Sequence, residues 1–230
     1  MVPSISFFAL KFDSFYFLMF CITAYVVLRA IRLSQVKLFY LGGFFISLCL
    51  FFSYSLIPGL IVLGLYVTFF YKNTVPLLID NFVKIMIGFS SLILVLLLLG
   101  YNTFTAFFPI LLNQAPRSYW QWVFYNPFDF LQYFGVSISV LFSIIVFQLM
   151  NIKKGFEIKK ITIIFLFFFF VLVLSGISRA EVGRIWMPLM LFPLLAIGLY
   201  KKLSLGFLII IVFLLFIQNI VMTEFWVPIW

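Results

Sequence analysis

Hydrophobic residues run along this chain in long blocks, with the polar residues gathered at the breaks between them. The blocks recur at roughly 17–22 residues, which at ~1.5 Å per helical residue matches a hydrocarbon thickness of ~30 Å. A chain in lipid must pair its backbone groups within itself, so blocks of this length predict transmembrane helices. A first span is expected over about Phe15 to Leu28, closed by Arg29 and Arg32, and a second over about Leu38 to Leu56, carrying Gly43 and Ser47. Ser55 to Gly59 reads as a tight turn with Pro58 as its breaker. A shorter third span covers about Leu60 to Tyr71 and ends at Lys72, and Lys84 leads into a fourth that ends near Leu99. Gly100 to Asn126 is the longest segment expected outside the spans.

Asn126-Pro127 reads as the start of the fifth span, with Asn as N-cap and Pro at the first helical position. Gly135, Ser139 and Ser143 follow at four-residue spacing, a small-residue stripe that lets another helix come close. A sixth span covers about Ile161 to Leu174, a seventh ends at Tyr200, and an eighth covers about Leu205 to Met222. The expectation is an all-α membrane protein, a polytopic bundle of about eight transmembrane helices forming a single domain over residues 1–230.

Composition removes the alternatives. With 66% hydrophobic and 9% charged residues and a mean hydropathy of +1.28, no water-soluble core could hide this much apolar surface. The net charge of +9 is explained by the positive-inside bias, which leaves no reason to expect a nucleic-acid partner. Cys21 and Cys49 lie inside apolar runs and act as small hydrophobes, so neither a disulfide framework nor a metal site is expected. Histidine is absent, and with it the commonest general base and metal ligand. The first apolar run lacks a basic n-region and a small-residue cleavage site, so no cleavable signal peptide is expected.

The charges also orient the bundle. Alternate connections hold Arg29, Arg32, Lys37, Lys72, Lys84, Lys153, Lys154, Lys159, Lys160, Lys201 and Lys202, and these belong in the cytoplasm. The other side keeps Lys11, Arg117, Arg179 and Arg184, together with Asp13, Asp129, Glu181 and Glu224. Both termini are then extracytoplasmic. An outer N-terminus without a leader suggests helices upstream of Met1, or an upstream half supplied by another chain. Asp80 is expected to pair with Lys84 at i+4.

Three stretches carry polar chemistry. Ser175 to Pro188 reads S-G-I-S-R-A-E-V-G-R-I-W-M-P between two apolar runs. Ser178 and Glu181 have the capping-box spacing, so the seventh helix is expected to begin at Arg179. Its free N–H groups, with Arg179 and Arg184, make an anion site suited to phosphate. Glu181, three residues before Arg184, is one partner for it, and a lipid phosphate is another. The plainer alternative is that Glu181 only caps, Arg179 only meets headgroups and Arg184 snorkels. The second stretch holds Arg117, Tyr119, Trp122, Asn126 and Asp129. Its Trp and Tyr residues are able to stack on sugar rings, and they equally make an interfacial aromatic belt. Asp129, at N3 of the expected fifth helix, is favoured there by the helix dipole. The third is Lys11 with Asp13. Asp13 and Asp129 are the weak candidates for a catalytic carboxylate. No Walker loop, dinucleotide fingerprint, HExxH or nucleophile elbow is present.

Three segments are similar to a known family. Phe44 to Leu63, Arg117-Ser118-Tyr119 with Trp122 and Asn126-Pro127-Phe128-Asp129-Phe130, and above all Ser178-Arg179-Ala180-Glu181-Val182-Gly183-Arg184-Ile185-Trp186-Met187-Pro188 resemble helices of the GT-C superfamily of multi-pass glycosyltransferases. The resemblance covers about Phe15 to Tyr200. It implies transfer of a sugar from a polyprenyl-phosphate donor on the extracytoplasmic face. Arg179 and Arg184 would then hold the donor phosphate, supported by Ser178 and Glu181. Arg117, Tyr119, Trp122 and Asn126 would lie near the sugar or acceptor. Family members carry their catalytic acids in a large outer loop after the first helix, and no such loop follows here. The chain therefore resembles the C-terminal portion of such an enzyme, with membrane lipids, the lipid-linked donor and an upstream helical half as partners. The competing expectation is a non-catalytic scaffold subunit or a lipid or solute transporter.

Overall fold

A computed structural model describes residues 13–70, 75–102, 105, 118–151, 156–176, 185–200 and 203–225. Among them every regular element is helical: α1 Asp13–Leu33, α2 Val36–Phe52, α3 Ile57–Phe70, α4 Val75–Leu98, α5 Tyr119–Phe134, α6 Val136–Asn151, α7 Phe156–Ser175, α8 Leu191–Leu199 and α9 Leu205–Phe225. Short 3-10 helices cover Tyr54–Leu56 and Met187–Met190. Four helices are long and apolar enough to cross a bilayer: Phe15–Leu33, Pro76–Leu98, Ile158–Ser175 and Leu205–Met222. A fifth is added if Tyr119–Phe134 and Val136–Leu149, bent by 105° at their junction, count as one span. The protein is thus an all-α membrane protein. Val36–Phe52, Tyr54–Phe69 and Met187–Leu199 are apolar but shorter.

The chain divides into two compact units, Phe15–Pro116 and Arg117–Trp230, the second grouped with Met1–Ser14. In the first unit α1 and α2 form an antiparallel hairpin. Phe15 meets Phe52 ring to ring at 5.3 Å, and Thr23 Oγ1 lies 3.1 Å from Cys49 Sγ. Gly42 lets Val27 come close, since a Cβ built there would sit 3.1 Å from Val27 Cγ2.

The contact between α2 and α4 is tighter and reciprocal. A Cβ on Gly43 would overlap the Ile85 carbonyl and sit 2.8 Å from Phe89 N. A Cβ on Gly88 would overlap the Tyr40 carbonyl and sit 2.9 Å from Tyr40 Cα. The two backbones touch because neither side has a side chain at the crossing. Lipid tails are as apolar as leucine, so close packing of this kind is what holds membrane helices together. Beyond the crossing, the rings of Phe51 and Tyr101 meet at 5.5 Å. The two helices therefore run in the same direction, and α3 returns the chain between them. With 14 residues, α3 is about 21 Å long, short of a full ~30 Å span. Pro58 is the second residue of α3 and opens that helix, and the change of direction falls in the preceding 3-10 turn. Lys84 lies inside α4, which begins nine residues earlier at Val75, and its ammonium pairs with Asp80 as the i+4 spacing predicts.

In the second unit the core is aromatic. Phe130, Phe134, Phe142, Phe165, Phe169 and Trp186 are all buried. Phe130 stacks on Phe134 at 5.8 Å and meets Phe169 at 4.9 Å, and Phe142 meets Phe165 edge-on at 5.7 Å. Offset and edge-on pairs at these distances each add about 0.5–1.5 kcal/mol beyond area burial.

The α2–α4 crossing yields a direct test. Gly43→Val and Gly88→Val are expected to lower stability in detergent by about 2–3 kcal/mol each, because backbone cannot yield as a side chain does. Gly64, in α3, has nothing within 4 Å of a built Cβ, so Gly64→Ala should leave stability unchanged or raise it by up to about 1 kcal/mol. Thermal unfolding of the three purified variants reads this difference.

Candidate functional site

Tyr119, Trp122, Asn126 and Asp129 of the second stretch lie on one helix, but not where the chain pattern put them. α5 begins at Tyr119, after Ser118 in extended conformation (φ −60°, ψ 118°). Asn126 is therefore not an N-cap, and Pro127 does not open a helix: both sit in the interior of α5. Asp129 is likewise mid-helix rather than at N3. The break falls instead at Gly135, whose φ of 108° and ψ of 123° suit glycine alone. Asn and Pro mark a helix start on average, but here the two turns before them, Tyr119 to Tyr125, are helical although largely exposed, with Trp122 and Val123 half-buried and Tyr119 tied to the end of α7.

At 100° per residue, Tyr119, Trp122, Asn126, Asp129, Phe130 and Tyr133 fall on one stripe of α5. Asn126, Phe130 and Tyr133 on that stripe are buried, Asn126 completely. The opposite side shows Trp120, Phe124 and Phe128 exposed. The buried stripe faces α7 and the segment after it. Tyr119 Oη donates to the Leu174 carbonyl at 2.7 Å, next to the end of α7. α7 closes at Gly176, which is buried and takes φ 62°, the left-handed conformation that commonly ends a helix. Lower on the stripe, Phe130 meets Trp186 at 6.3 Å, and Trp186 also stands edge-on to Phe169 at 5.6 Å.

Leu174, just before the polar stretch, and Trp186, near its far end, thus rest on the same face of α5. Arg117, Ser178, Arg179, Glu181 and Arg184 lie outside the described residues, as does the side chain of Asp13. The part that is described corrects one expectation. A single helix from Arg179 to Tyr200 does not form, because the chain turns at Trp186 (φ −95°, ψ 6°), passes through a 3-10 helix at Met187–Met190, and only then enters α8. Pro188 contributes: it has no N–H to give, so it cannot take part in α-helical bonding carried through this turn. Trp186, Met187, Leu189 and Met190 are each at most 1% exposed, so this turn plugs the core.

A second feature was not anticipated. The angle between α5 and α6 holds an open groove of about 1000 Å³, lined by both helices and by α9. Its walls are apolar, with Gln132, Ser139, Ser143, Gln148 and Gln218 as the polar groups and no charged side chain. The small-residue stripe is part of this wall. Ser139 Oγ donates back to the Leu131 carbonyl at 2.9 Å, and Ser143 Oγ to the Ser139 carbonyl at 2.9 Å. At the apex Gln218 of α9 bonds both half-helices: Nε2 donates to the Gln132 carbonyl and Oε1 accepts from Val136 N–H, each at 2.8 Å. The one signal in the sequence for Gln218 was a carboxamide inside an apolar run, where a polar side chain needs a partner. Leu131, Gln132 and Phe128, which face the groove, lie on the opposite side of α5 from the Tyr119–Asn126 stripe. Among the described residues no three His, Cys, Asp or Glu side chains come together as a metal site would need.

Compared with protein-family models, with curated proteins and with solved structures, the chain matches none.

The anchoring of the polar stretch is measurable. Trp186→Ala is expected to cost about 3–5 kcal/mol, the range for emptying a buried aromatic site. Tyr119→Phe, which removes only the hydroxyl bonded to Leu174, should cost about 1 kcal/mol. Equilibrium unfolding of the two variants in detergent reads the difference.

Proposed function

We propose that this chain is the membrane part of a glycosyltransferase, GT-C-like, that moves a sugar from a polyprenyl-phosphate donor to an acceptor on the extracytoplasmic face. The single observation that supports it is the stripe of α5 that meets the chain on either side of the polar stretch's central residues, Leu174 on Tyr119 and Trp186 on Phe130. That stripe also carries Trp122 and Asn126. In this reading Arg179 and Arg184 hold the donor phosphate, with Ser178 and Glu181 as support, and Arg117, Tyr119, Trp122 and Asn126 border the sugar or acceptor. The reaction is displacement at the anomeric carbon: the acceptor oxygen forms the new bond, the polyprenyl phosphate leaves with the bonding electrons, and a carboxylate takes the acceptor's proton. The arginines stabilise the charge that grows on the departing phosphate. Asp129 is half-buried on α5 and Asp13 begins α1. An upstream half would supply the stronger base.

One observation favours a second reading, a lipid or solute transporter. Broken helices that meet at an internal angle are the usual frame of a transport site, and α5–α6 is such a pair. Reconstituted vesicles separate the two: transfer of labelled sugar to an acceptor supports the first, and movement of intact labelled lipid across the bilayer supports the second.

Two outcomes are expected on the first reading. Arg184→Ala should weaken binding of a polyprenyl-phosphate hexose about 10- to 100-fold, since a charge-assisted bond is worth about 1.5–3 kcal/mol, and equal affinities would remove the residue from the site. Ser178→Cys should react with an impermeant thiol reagent added outside intact cells, and Lys154→Cys only after permeabilisation. The reverse pattern would place the stretch in the cytoplasm.

A further inference from the structure

We infer that Gln218 is a latch that holds a bistable helix in its bent state. The argument rests on which two groups its carboxamide touches. In an uninterrupted α-helix each N–H bonds the carbonyl four residues earlier. Across the α5–α6 junction, the partner of Val136 N–H would be the Gln132 carbonyl. These are the two groups that Gln218 separates: Oε1 takes the Val136 N–H and Nε2 gives to the Gln132 carbonyl, both at 2.8 Å. The side chain stands in one of the i→i−4 bonds that the junction omits, as a peptide group would.

The bonds on either side of the gap are already those of a helix. Gly135 N–H is shared between the Leu131 carbonyl at 3.1 Å and the Gln132 carbonyl at 3.2 Å, and Ser139 N–H reaches the Gly135 carbonyl at 2.8 Å. Straightening needs a change at one residue, Gly135 moving from φ 108°, ψ 123° to the helical region near φ −63°, ψ −42°, which glycine does without steric penalty. It also needs withdrawal of Gln218, after which Val136 N–H and the Gln132 carbonyl close on each other. Both states pair these two groups, as hydrocarbon demands, and the straight state also closes Ser137 N–H and Ile138 N–H on the Tyr133 and Phe134 carbonyls. In the bent state the chain turns by 105° from α5 into α6 and the two arms frame the groove, and in the straight state residues 119–149 form one rod and the angle is gone. Gln218 also ties the state of this helix to α9. Its Nε2 lies 3.7 Å from Met222 Sδ, one turn along α9, and α9 is otherwise mostly exposed, so a shift of α9 withdraws the amide without unpacking the aromatic core.

Distance measurement between the arms tests this. Spin labels at Phe124→Cys and Phe147→Cys, positions 75% and 69% exposed, are placed in a chain whose Cys21 and Cys49 are replaced by alanine, and read by pulsed double resonance in lipid discs. The bent state puts the two backbone positions about 21 Å apart and the straight state about 35 Å apart, at ~1.5 Å per residue along each arm. The parent is expected to show the short distance, and Gln218→Leu to shift the population to the long one. Gly135→Ala should do the same with Gln218 intact, because alanine disfavours φ 108°. A short distance retained in Gln218→Leu overturns the latch. Should that variant fail to fold, a short distance retained in Gly135→Ala shows that no straight state competes and overturns it equally. So does a parent that shows only the long distance.

Discussion

A backbone N–H or carbonyl in hydrocarbon has no water to turn to, and that constraint governs the second unit of this protein. Wherever the chain leaves helical geometry there, a partner for the exposed backbone groups has to be found. At Gly135 the partner is the Gln218 carboxamide, with the Ser139 hydroxyl on the Leu131 carbonyl beside it. At the end of α7 it is the Tyr119 hydroxyl on the Leu174 carbonyl. The break at Gly135 creates the groove, and the turn at Trp186 fills the core. The two interruptions are opposite uses of one device: one opens space between helices and the other closes it.

The first unit answers a different demand. Without a hydrophobic force between helices in lipid, association depends on how closely the backbones approach. Gly43 and Gly88 remove the side chains at the crossing from both sides at once, which is why α2 and α4 touch backbone to backbone. A glycine on one side alone would have met a side chain on the other.

The proposed function rests on a face of α5 rather than on a cluster of charges. Tyr119, Trp122 and Asn126 stood out in the sequence as aromatic and polar residues near an expected loop. Their common face became visible only once α5 was seen to start at Tyr119 and carry all three in register. The groove on the other side of the same helix involves none of them. α5 therefore has two chemically distinct sides, a buried stripe under the polar stretch and a wall of the apolar angle.

What the sequence determined by itself was the all-helical class, the membrane setting and the local pairs. The lengths of the apolar blocks set the first two, and helical periodicity alone places Asp80 beside Lys84. It also marked Ser175–Pro188 as the polar stretch, whose ends the structure describes. Tertiary structure decided where helices start and break. Asn126-Pro127 is a sound local signal for a start, yet α5 begins two turns earlier, where the Tyr119 hydroxyl holds the end of α7. Gly135 is one of 12 glycines, and its place in a small-residue stripe does not mark it as a break. It becomes the break because a glutamine far along the chain, 82 residues from Val136, reaches across to take the hydrogen bond that the helix gives up. Local pattern fixes what a segment can form. Which of those forms survives depends on partners that only the folded chain brings within 3 Å.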